Sequence, residues 1–324
     1  MWGLPVSMTS DVQELAGTEQ VAEAPAKPAS ALIAELLPLV QQASEVRRAA
    51  TPEALLFNYV LVNGAPKDRN LPSLMRLFRG AVDLGHFELP LQLKSFCHDR
   101  DLLHLSCGQS LNCVVFRALG ARTYTGVDEN VSLIRKKFRS RATKETIDLG
   151  LSLSDVTRLM PGITFLKSDR ISLTDAFDGV VLQGTHKIMD LEATFAQLHR
   201  ALRPRGQIWF SHDNFYAWGG HQGDPKSPSR YDPKDNAQRA FVDWGHVKFE
   251  PPEGHRFLTS LNRLRIVDLR RIVDTYFEVE QWKEVPDRSS IPPRLTPAVR
   301  RKLKGYTDQD LLTKQVICRA TKRL

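Results

Sequence analysis

Short apolar runs and longer helical patterns alternate along the middle of the chain. Strands are predicted at 102–105, 123–127, 163–167, 177–182 and 207–211, and helices at 110–119, 130–140, 151–159 and 191–202. In the strands the apolar residues are nearly continuous, whereas in the helices they return every three or four positions. Alternation of this kind predicts a parallel sheet that is covered by helices on both faces.

The region before residue 96 is predicted to be helical. Apolar residues recur at helical spacing over 31–40, and a second helix is predicted from Thr51, an N-cap residue followed by proline, to Asn63-Gly64. A third contains residues 74–82. We expect residues 31–95 to form a helical lid or brace. Residues 1–30 are rich in Ala, Glu, Pro, Thr and Ser, and we predict a disordered tail there.

The regular pattern stops after residue 211. Residues 212–258 are rich in glycine, proline, histidine, aspartate and aromatic residues, and a long segment without periodicity is often a functional lid. A helix at 260–276 and strands at 277–282 and 314–320 follow. We expect an α/β fold, a doubly wound Rossmann-like sheet that is mostly parallel with an antiparallel last strand. It would occupy 96–324, with an insert after strand five that caps the substrate.

Composition excludes several classes of protein. The 324 residues are 42% hydrophobic and 25% charged, and no apolar run approaches the roughly 20 residues that cross a membrane. Four cysteines with no zinc-type spacing indicate small core residues in a reducing cytoplasm, so we expect no disulfide and no metal site. The net charge is +8, but the basic residues are spread out, and the cluster at 135–141 lacks interleaved aromatic residues. Nucleic acid is therefore not the expected partner.

The chemistry begins at a strand, a glycine-containing turn and a helix. The turn contains Gly108, and Asp128 stands at the end of the next strand, about 20 residues further on. Such a turn lets a ligand approach the backbone at a helix N-terminus, and the acid can accept hydrogen bonds from ribose hydroxyls. The unit is therefore predicted to hold a nucleoside.

Several segments together resemble class I S-adenosylmethionine-dependent methyltransferases. These are the first turn at 103–110, Asp128, the pair Ser168-Asp169, the strand-four segment 177–186, and the helix, turn and strand at 198–211. The resemblance implies S-adenosylmethionine as cofactor and S-adenosylhomocysteine as product. The cofactor-binding residues that it implies are Ser106, Cys107, Gly108, Ser110, Asp128, Glu129, Ser168, Asp169 and Gly184.

The first turn departs from the family pattern. His104 occupies the position where the family usually has an acidic residue, and Ser106 and Ser110 occupy positions where it usually has glycine. Serine adopts positive φ at a cost of about 1 kcal/mol, so the methionine end of the cofactor would be held differently. One alternative is therefore a non-catalytic scaffold that binds the cofactor.

The resemblance implies transfer of a methyl group to an oxygen or nitrogen atom. We expect a small or medium acceptor, natural-product or sugar-like, and the basic balance favours an anionic one. If the acceptor is a hydroxyl, a base is useful, and His186, His212 and His246 are the candidates. Aromatic and histidine side chains expected to contact the substrate are Tyr216, Trp218, His221 and Trp244. Two alternative functions remain open, an RNA or protein methyltransferase and a nicotinamide-dependent reductase. Assembly into a homodimer also remains open.

Overall fold

The computed structural model describes residues 28–46 and 50–324, so the predicted tail at 1–30 lies almost entirely outside the described residues. The strands are β1 (Asp101–Leu105), β2 (Thr123–Val127), β3 (Lys137–Arg139), β4 (Thr146–Asp148), β5 (Ile163–Leu166), β6 (Phe177–Gln183), β7 (Leu202–Asp213), β8 (Phe277–Pro286) and β9 (Thr313–Lys322). The helices are α1 (Ala29–Val46), α2 (Pro52–Asn63), α3 (Leu71–Asp83), α4 (Glu88–Gln92), α5 (Lys94–Cys97), α6 (Asn112–Ala118), α7 (Leu153–Leu159), α8 (Leu191–Ala201), α9 (Asn236–Phe241), α10 (Gly245–Lys248), α11 (Arg256–Thr259), α12 (Ile266–Tyr276), α13 (Pro297–Lys302) and α14 (Asp308–Leu312).

Seven strands form one sheet in the order β5-β2-β1-β6-β7-β9-β8. The strands from β5 to β7 pair in parallel, and β9 runs antiparallel to both β7 and β8. The predicted doubly wound sheet with an antiparallel last strand is confirmed. Because parallel strands end at the same edge, the loops after β1, β2, β5, β6 and β7 meet there.

Each face of the sheet carries its own apolar core. On one face, Leu102 and Val181 pack with α1 to α7, so the N-terminal helices cover that face directly. On the other, Leu103, Val180 and Leu182 pack with α8 and α12. The change of face between neighbouring residues follows from the two-residue period of a strand. Within residues 28–46 and 50–324, no helix is long and apolar enough to cross a membrane.

The predicted helix at 130–140 is wrong. The segment is a loop that leads into β3, which pairs with β4 as a short antiparallel hairpin. Phe138 is fully buried between exposed neighbours, which is the two-residue period of a strand, while Ile134 is 84% exposed. The side chain of Gln109 also bonds to the backbone of Ser132 and Arg135, at 3.1 Å each. It therefore takes backbone groups that a helix would have used.

The predicted helix at 260–276 begins later, at Ile266. Before it, Asn262 is tied to the loop after β6, because its backbone N–H donates to the carbonyl of His186 at 2.9 Å. Its side-chain amide donates to the carbonyls of Thr185 and Ile188, at 2.8 and 2.9 Å. Arg263 then adopts a left-handed conformation with φ of 44°, which interrupts any helix.

The insert is built from short helices around aromatic residues. Phe215, Phe257 and Leu261 form one small core, against which Phe241 and Phe249 pack. A second core joins the insert to the segment between β8 and β9, and it contains Trp218, Trp244, Ile291, Leu303 and Leu311. The insert is therefore held to the rest of the chain by its own apolar contacts.

Candidate active site

A cavity of about 720 Å³ opens where the parallel strands end. Its wall contains Ser106 after β1, Asp128 and Glu129 after β2, Ser168 and Asp169 after β5, and Gly184 and His186 after β6. Six of the nine predicted cofactor residues thus meet at one place. The parallel topology explains this, because residues distant in sequence follow neighbouring strands.

Asp128 connects the cavity to the first turn. One carboxylate oxygen accepts the N–H of Gly108 at 3.0 Å, and the other accepts the N–H of Asn130 at 2.8 Å. The side chain is half-buried and lines the cavity. Each carboxylate oxygen has a further lone pair, so Asp128 can shape the turn and still accept hydrogen bonds from a ligand.

The three other predicted cofactor residues, Cys107, Gly108 and Ser110, build the turn without lining the cavity. Cys107 is buried, and a Cβ at Gly126 would lie 2.8 Å from its sulfur, so only glycine fits there. Gly108 has φ of +59°, and the hydroxyl of Ser110 accepts the N–H of Asn112 at 3.2 Å. Ser106 has φ of +55°, which places a serine in a conformation that glycine adopts more readily.

The residue at the usual acid position, His104, does not face the cavity. Its ring is buried against Phe116 and Tyr124, and Nδ1 lies 2.8 Å from the hydroxyl of Tyr124. Burial lowers the pKa of His104 to about 3. The side chain is therefore a neutral member of the core at neutral pH.

His186 combines burial with a nearby carboxylate. It lies in a short turn after Gly184, whose φ is +68°, and the turn is held by Asn262. Neither ring nitrogen has a hydrogen-bond partner among the described residues, and Nδ1 is 3.7 Å from a carboxylate oxygen of Asp213. Burial lowers the pKa of His186, and the charge of Asp213 acts in the opposite direction. The arrangement suits a neutral base whose protonated form a carboxylate would stabilise.

His212 stands next to His186 without reaching the cavity. The two rings meet edge to face at 6.4 Å, and Nδ1 of His212 is 2.8 Å from the hydroxyl of Thr185. The side chain is buried, and burial lowers its pKa to about 3. Its geometry therefore fits support of the loop that carries His186.

A second cavity, of about 340 Å³, adjoins the first at Asp213, which lines both. Its wall combines the start of the insert with the ends of β8 and β9. The lining residues include Asn214, Trp218, Gly219, Gly220, Lys226, Ser227, Asp287, Arg288, Ile291 and Lys314. One of the four predicted substrate residues, Trp218, is among them.

Of the remaining predicted residues of the insert, His221, Trp244 and His246 are buried in its interior, and Tyr216 is half-buried. The Nε2–H of His246 donates to the carbonyl of Phe215 at 2.9 Å, and the ring of His221 stacks on Phe241. The indole N–H of Trp244 donates to the carbonyl of Leu311 at 3.2 Å, and the hydroxyl of Tyr216 donates to that of Arg263 at 2.9 Å. These four side chains line neither cavity, so their contacts are those of core residues.

Sequence analysis missed several residues that the structure brings to the cavities. Gln183, Lys187, Asp213 and Gln315 line the large one, and Gln315 donates to Asp213 at 2.7 Å. Asp213 is the last residue of β7, at the carboxyl edge of the sheet. A position at the carboxyl end of a parallel strand predicts a place near the ligand, so the sequence did contain a signal for Asp213. Gln315 and the residues at 287–291 have no such signal, because they approach the edge only through the antiparallel strand β9.

The polar groups of the large cavity fit S-adenosylmethionine, the cofactor that the resemblance implies. Asp128 and Glu129 offer oxygen acceptors for ribose hydroxyls after β2. Ser168 and Asp169 offer polar groups after β5, on the same side. A volume of about 720 Å³ lies within the range of about 300–1,000 Å³ that is usual for small-molecule sites.

Comparison with known proteins agrees with this geometry. Residues 103–210 match the family model of a methyltransferase domain. No curated protein matches the chain.

Solved structures similar to the chain include an inferred S-adenosylmethionine-dependent methyltransferase from Listeria monocytogenes, which is 16% identical, covers 74% of this chain and 99% of its own, and has a TM-score of 0.45. Another is an S-adenosylmethionine-dependent methyltransferase from Mesorhizobium loti, which is 18% identical, with coverage of 71% and 96% and a TM-score of 0.41. A third is the N-methyltransferase NodS from Bradyrhizobium japonicum, which is 12% identical, with coverage of 74% and 96% and a TM-score of 0.35.

Proposed function

We propose that this chain, which carries a class I S-adenosylmethionine-dependent methyltransferase domain, transfers a methyl group to an oxygen or nitrogen atom of a small or medium metabolite. The observation that carries the proposal is the second cavity, which adjoins the cofactor cavity at Asp213. Its volume of about 340 Å³ lies within the range of about 300–1,000 Å³ that is usual for small-molecule sites. The acceptor would enter between the insert and the ends of β8 and β9.

The charges around the second cavity favour an acceptor with a carboxylate or phosphate group. Lys226, Arg288 and Lys314 line it, and none of them forms an ion pair within the described part of the chain. Cationic side chains form strong hydrogen bonds to carboxylates and phosphates.

The chain's own residues would supply alignment, a proton acceptor and exclusion of water. The cofactor supplies an electrophilic methyl group on its sulfonium sulfur. His186, neutral at pH 7, would take the proton of an acceptor hydroxyl at a ring nitrogen, and Asp213 would stabilise the imidazolium that forms. The buried surroundings of His186 would keep water from competing, and the two adjoining cavities would hold the reacting atoms in line.

The cofactor and the acceptor class can be tested in turn. Calorimetric titration of the purified chain with S-adenosylmethionine, S-adenosylhomocysteine and NAD is expected to give micromolar binding of the first two and none of NAD. Transfer of a labelled methyl group is then measured on a panel of metabolites, half of them anionic, beside bulk RNA and protein. We expect turnover on anionic small molecules, and Lys226→Gln should raise their KM about tenfold.

The matched control for this test is Lys283→Gln, an exposed lysine on β8 outside both cavities. It should leave KM within about twofold, because an isolated surface charge contributes little. Methylation of RNA or protein in preference to every metabolite would reject the proposal. Cofactor binding without methylation of any acceptor would favour the non-catalytic scaffold.

Replacing His186 tests the proposed base. His186→Gln is expected to lower kcat for a hydroxyl acceptor by about 10²- to 10⁴-fold, the usual contribution of a general base, while S-adenosylhomocysteine affinity stays within about threefold. In the unmodified protein, kcat should fall on the acid side at a pH below the 6.5 of an ordinary histidine, because burial lowers the pKa of His186. Both values come from initial rates measured between pH 5 and 9.

The control for this variant is His98→Gln, an exposed histidine whose side chain is 56% accessible. It should change neither kcat nor the pH at which kcat falls on the acid side. If His186→Gln retains full kcat on a hydroxyl acceptor, His186 is not the base. A neutral amine attacks with its lone pair and releases a proton only after methyl transfer, so an acceptor whose amine is neutral at the assay pH should lose less than about tenfold. Mass spectrometry of the product identifies the atom methylated.

A further inference from the structure

Arg141 is held in place by its backbone at the turn between β3 and β4. Its N–H donates to the carbonyl of Leu84 at 2.9 Å, at the C-terminal end of α3. The hydroxyl of the preceding residue, Ser140, is buried and accepts the N–H of Thr143 at 3.2 Å. The start of the Arg141 side chain is therefore fixed between the N-terminal helices and the hairpin.

The Arg141 guanidinium reaches the edge where the sheet ends. Its Nη2 donates to the side-chain oxygen of Gln183, at the end of β6, at 3.4 Å. With the Asn112 amide turned so that its nitrogen donates to the carbonyl of His86 at 2.7 Å, the amide oxygen accepts from Nη2 at 3.1 Å. Among the described residues, no group accepts from Nε or Nη1 of Arg141, and both atoms remain accessible.

Within residues 28–46 and 50–324, no carboxylate pairs with this cation. Burial lowers the pKa of Arg141, and Glu88 opposes this only at a distance, without forming an ion pair. Its other titratable neighbours, His86 and His104, have pKa values lowered to about 4 and about 3, mainly by burial, and are neutral at pH 7. A half-buried cation that faces only amides and neutral rings is costly unless an anion joins it.

Arg141 contacts Gln183, and the position of Gln183 in the cavity wall indicates which anion this is. Asp128 and Asp169 line the cavity after β2 and β5, whereas Gln183 lines it after β6. In the sheet, β1 separates β2 from β6, so Gln183 and Arg141 lie on the side opposite to Asp169. If Asp128 and Asp169 bind the nucleoside, the part of the cavity wall at Ser106 and Gln183 is left for the amino-acid tail of the cofactor, and that tail ends in a carboxylate.

We propose that Arg141 binds the α-carboxylate of the cofactor's amino-acid tail, with Nε and Nη1 as free donors for the two oxygens. A guanidinium fits a carboxylate through paired hydrogen bonds, and lysine could not reproduce that geometry. Asn112 and Gln183 hold the guanidinium plane. This inference rests on the cofactor alone and does not depend on the acceptor class proposed above.

The test uses a ligand that lacks only the carboxylate. Calorimetry compares S-adenosylhomocysteine with its decarboxylated analogue on the full chain and on Arg141→Gln. The unmodified protein should bind S-adenosylhomocysteine about 10- to 100-fold more tightly than the analogue, as expected for a charged hydrogen-bonded pair. Arg141→Gln should bind S-adenosylhomocysteine about 10- to 100-fold more weakly than the unmodified protein does. Its affinity for the analogue should stay within about threefold of that of the unmodified protein.

The matched control is Arg139→Gln, on the same hairpin but exposed, which should leave both affinities unchanged. Equal affinity of the unmodified protein for the two ligands would overturn the proposal even if Arg141→Gln failed to fold. An equal loss for both ligands in Arg141→Gln would overturn it in favour of a purely structural role. Unchanged affinity of Arg141→Gln for S-adenosylhomocysteine would show that Arg141 does not bind the carboxylate and would also overturn it. Because no turnover is needed, failure of the acceptor proposal leaves this test intact.

Discussion

Lowering the pH from 7 to 5 is expected to unfold this protein at 25 °C. The cause is a set of buried histidines that are neutral in the folded chain. Burial is the largest cause of the lowered pKa in each, to about 4 in His86 and His221 and to about 3 in His104, His212 and His246. In the unfolded chain a histidine titrates near 6.5, so the unfolded state binds more protons in the range between those values.

The sign follows from the depressed pKa values. The contribution of these histidines is fully present above pH 6.5 and is lost as the pH falls toward 4. Each one destabilises the fold by about 1.4 kcal/mol per pH unit below 6.5, and therefore by about 2 kcal/mol at pH 5. Five such groups together cost about 10 kcal/mol, which equals the whole free energy of unfolding of a typical domain. Carboxylates with lowered pKa, such as Asp155, lose their contribution only below their ordinary value of 3.8.

The measurement is the midpoint of thermal unfolding, followed by circular dichroism between pH 8 and 4.5. His104→Phe should make the fall of the unfolding midpoint with pH less steep, because phenylalanine binds no proton. The new ring can pack against Phe116 and Tyr124 as the His104 ring does. The exposed control His98→Gln should leave the slope unchanged. A midpoint that stays constant between pH 7 and 5 would show that these histidines do not remain neutral in the folded chain.

Asp128→Ala is expected to weaken S-adenosylhomocysteine binding by at least about 100-fold while the chain stays folded. The ribose hydroxyls of the ligand would lose their hydrogen bonds to the carboxylate. Each such bond to a charged acceptor contributes about 1.5–3 kcal/mol of binding free energy. The same substitution removes the acceptor for the N–H groups of Gly108 and Asn130, so the first turn becomes less well ordered. Asp128→Asn keeps one side-chain oxygen, so its affinity for S-adenosylhomocysteine should lie between those of the unmodified protein and Asp128→Ala.

Calorimetric titration measures the loss, and the midpoint of thermal unfolding reports the fold. Asp148→Ala is the matched control, because Asp148 accepts the N–H of Gly150 at 2.8 Å in a similar loop but lies outside the cavity. It should cost a similar amount of stability and no affinity. Unchanged affinity in folded Asp128→Ala would reject the ribose assignment and leave Asp128 with its role in the turn alone.

The sheet could be predicted because its central strands are short, largely buried segments between turn residues. Strands β1, β2, β5 and β6 were located within one or two residues, since short segments with apolar residues between turns have few other readings. The turn at Arg203–Gly206 appears as an irregularity within β7, where the pairing with β6 shifts and Arg205 has φ of 63°. The N-cap Thr51 was also found, because capping depends on the local sequence.

The errors arose where a tertiary contact outweighed the local pattern. The segment 130–140 has the composition of a basic helix, yet Gln109 from a distant turn binds its backbone, and Phe138 needs a strand to reach the core. The helix predicted from 260 starts at Ile266, because Asn262 is bonded to the loop after β6. Neither contact has a signature within the segment that it changes.

The candidate site divides in the same way. Six of the predicted cofactor residues line the cavity because each follows a parallel strand, and the topology brings such positions to one edge. The histidines and aromatic residues of the insert could not be sorted by sequence, since a side chain that packs in a small core and one that contacts a ligand are the same residue types. Of these, the structure places Trp218 in the second cavity wall and His221, Trp244 and His246 in the interior.

The sequence by itself determined the α/β class and the parallel sheet, because hydrophobic periodicity and turn chemistry are local properties, while its resemblance to class I methyltransferases implied the antiparallel last strand and the role predicted for Asp128. Only the tertiary structure decided that His186 meets Asp213, that a second cavity adjoins the first, and that Arg141 contacts Gln183 with no carboxylate paired to it among the described residues. Those juxtapositions join residues 27 or more positions apart. They depend on how the loops pack across the sheet edge, and that packing follows from contacts which no single segment encodes.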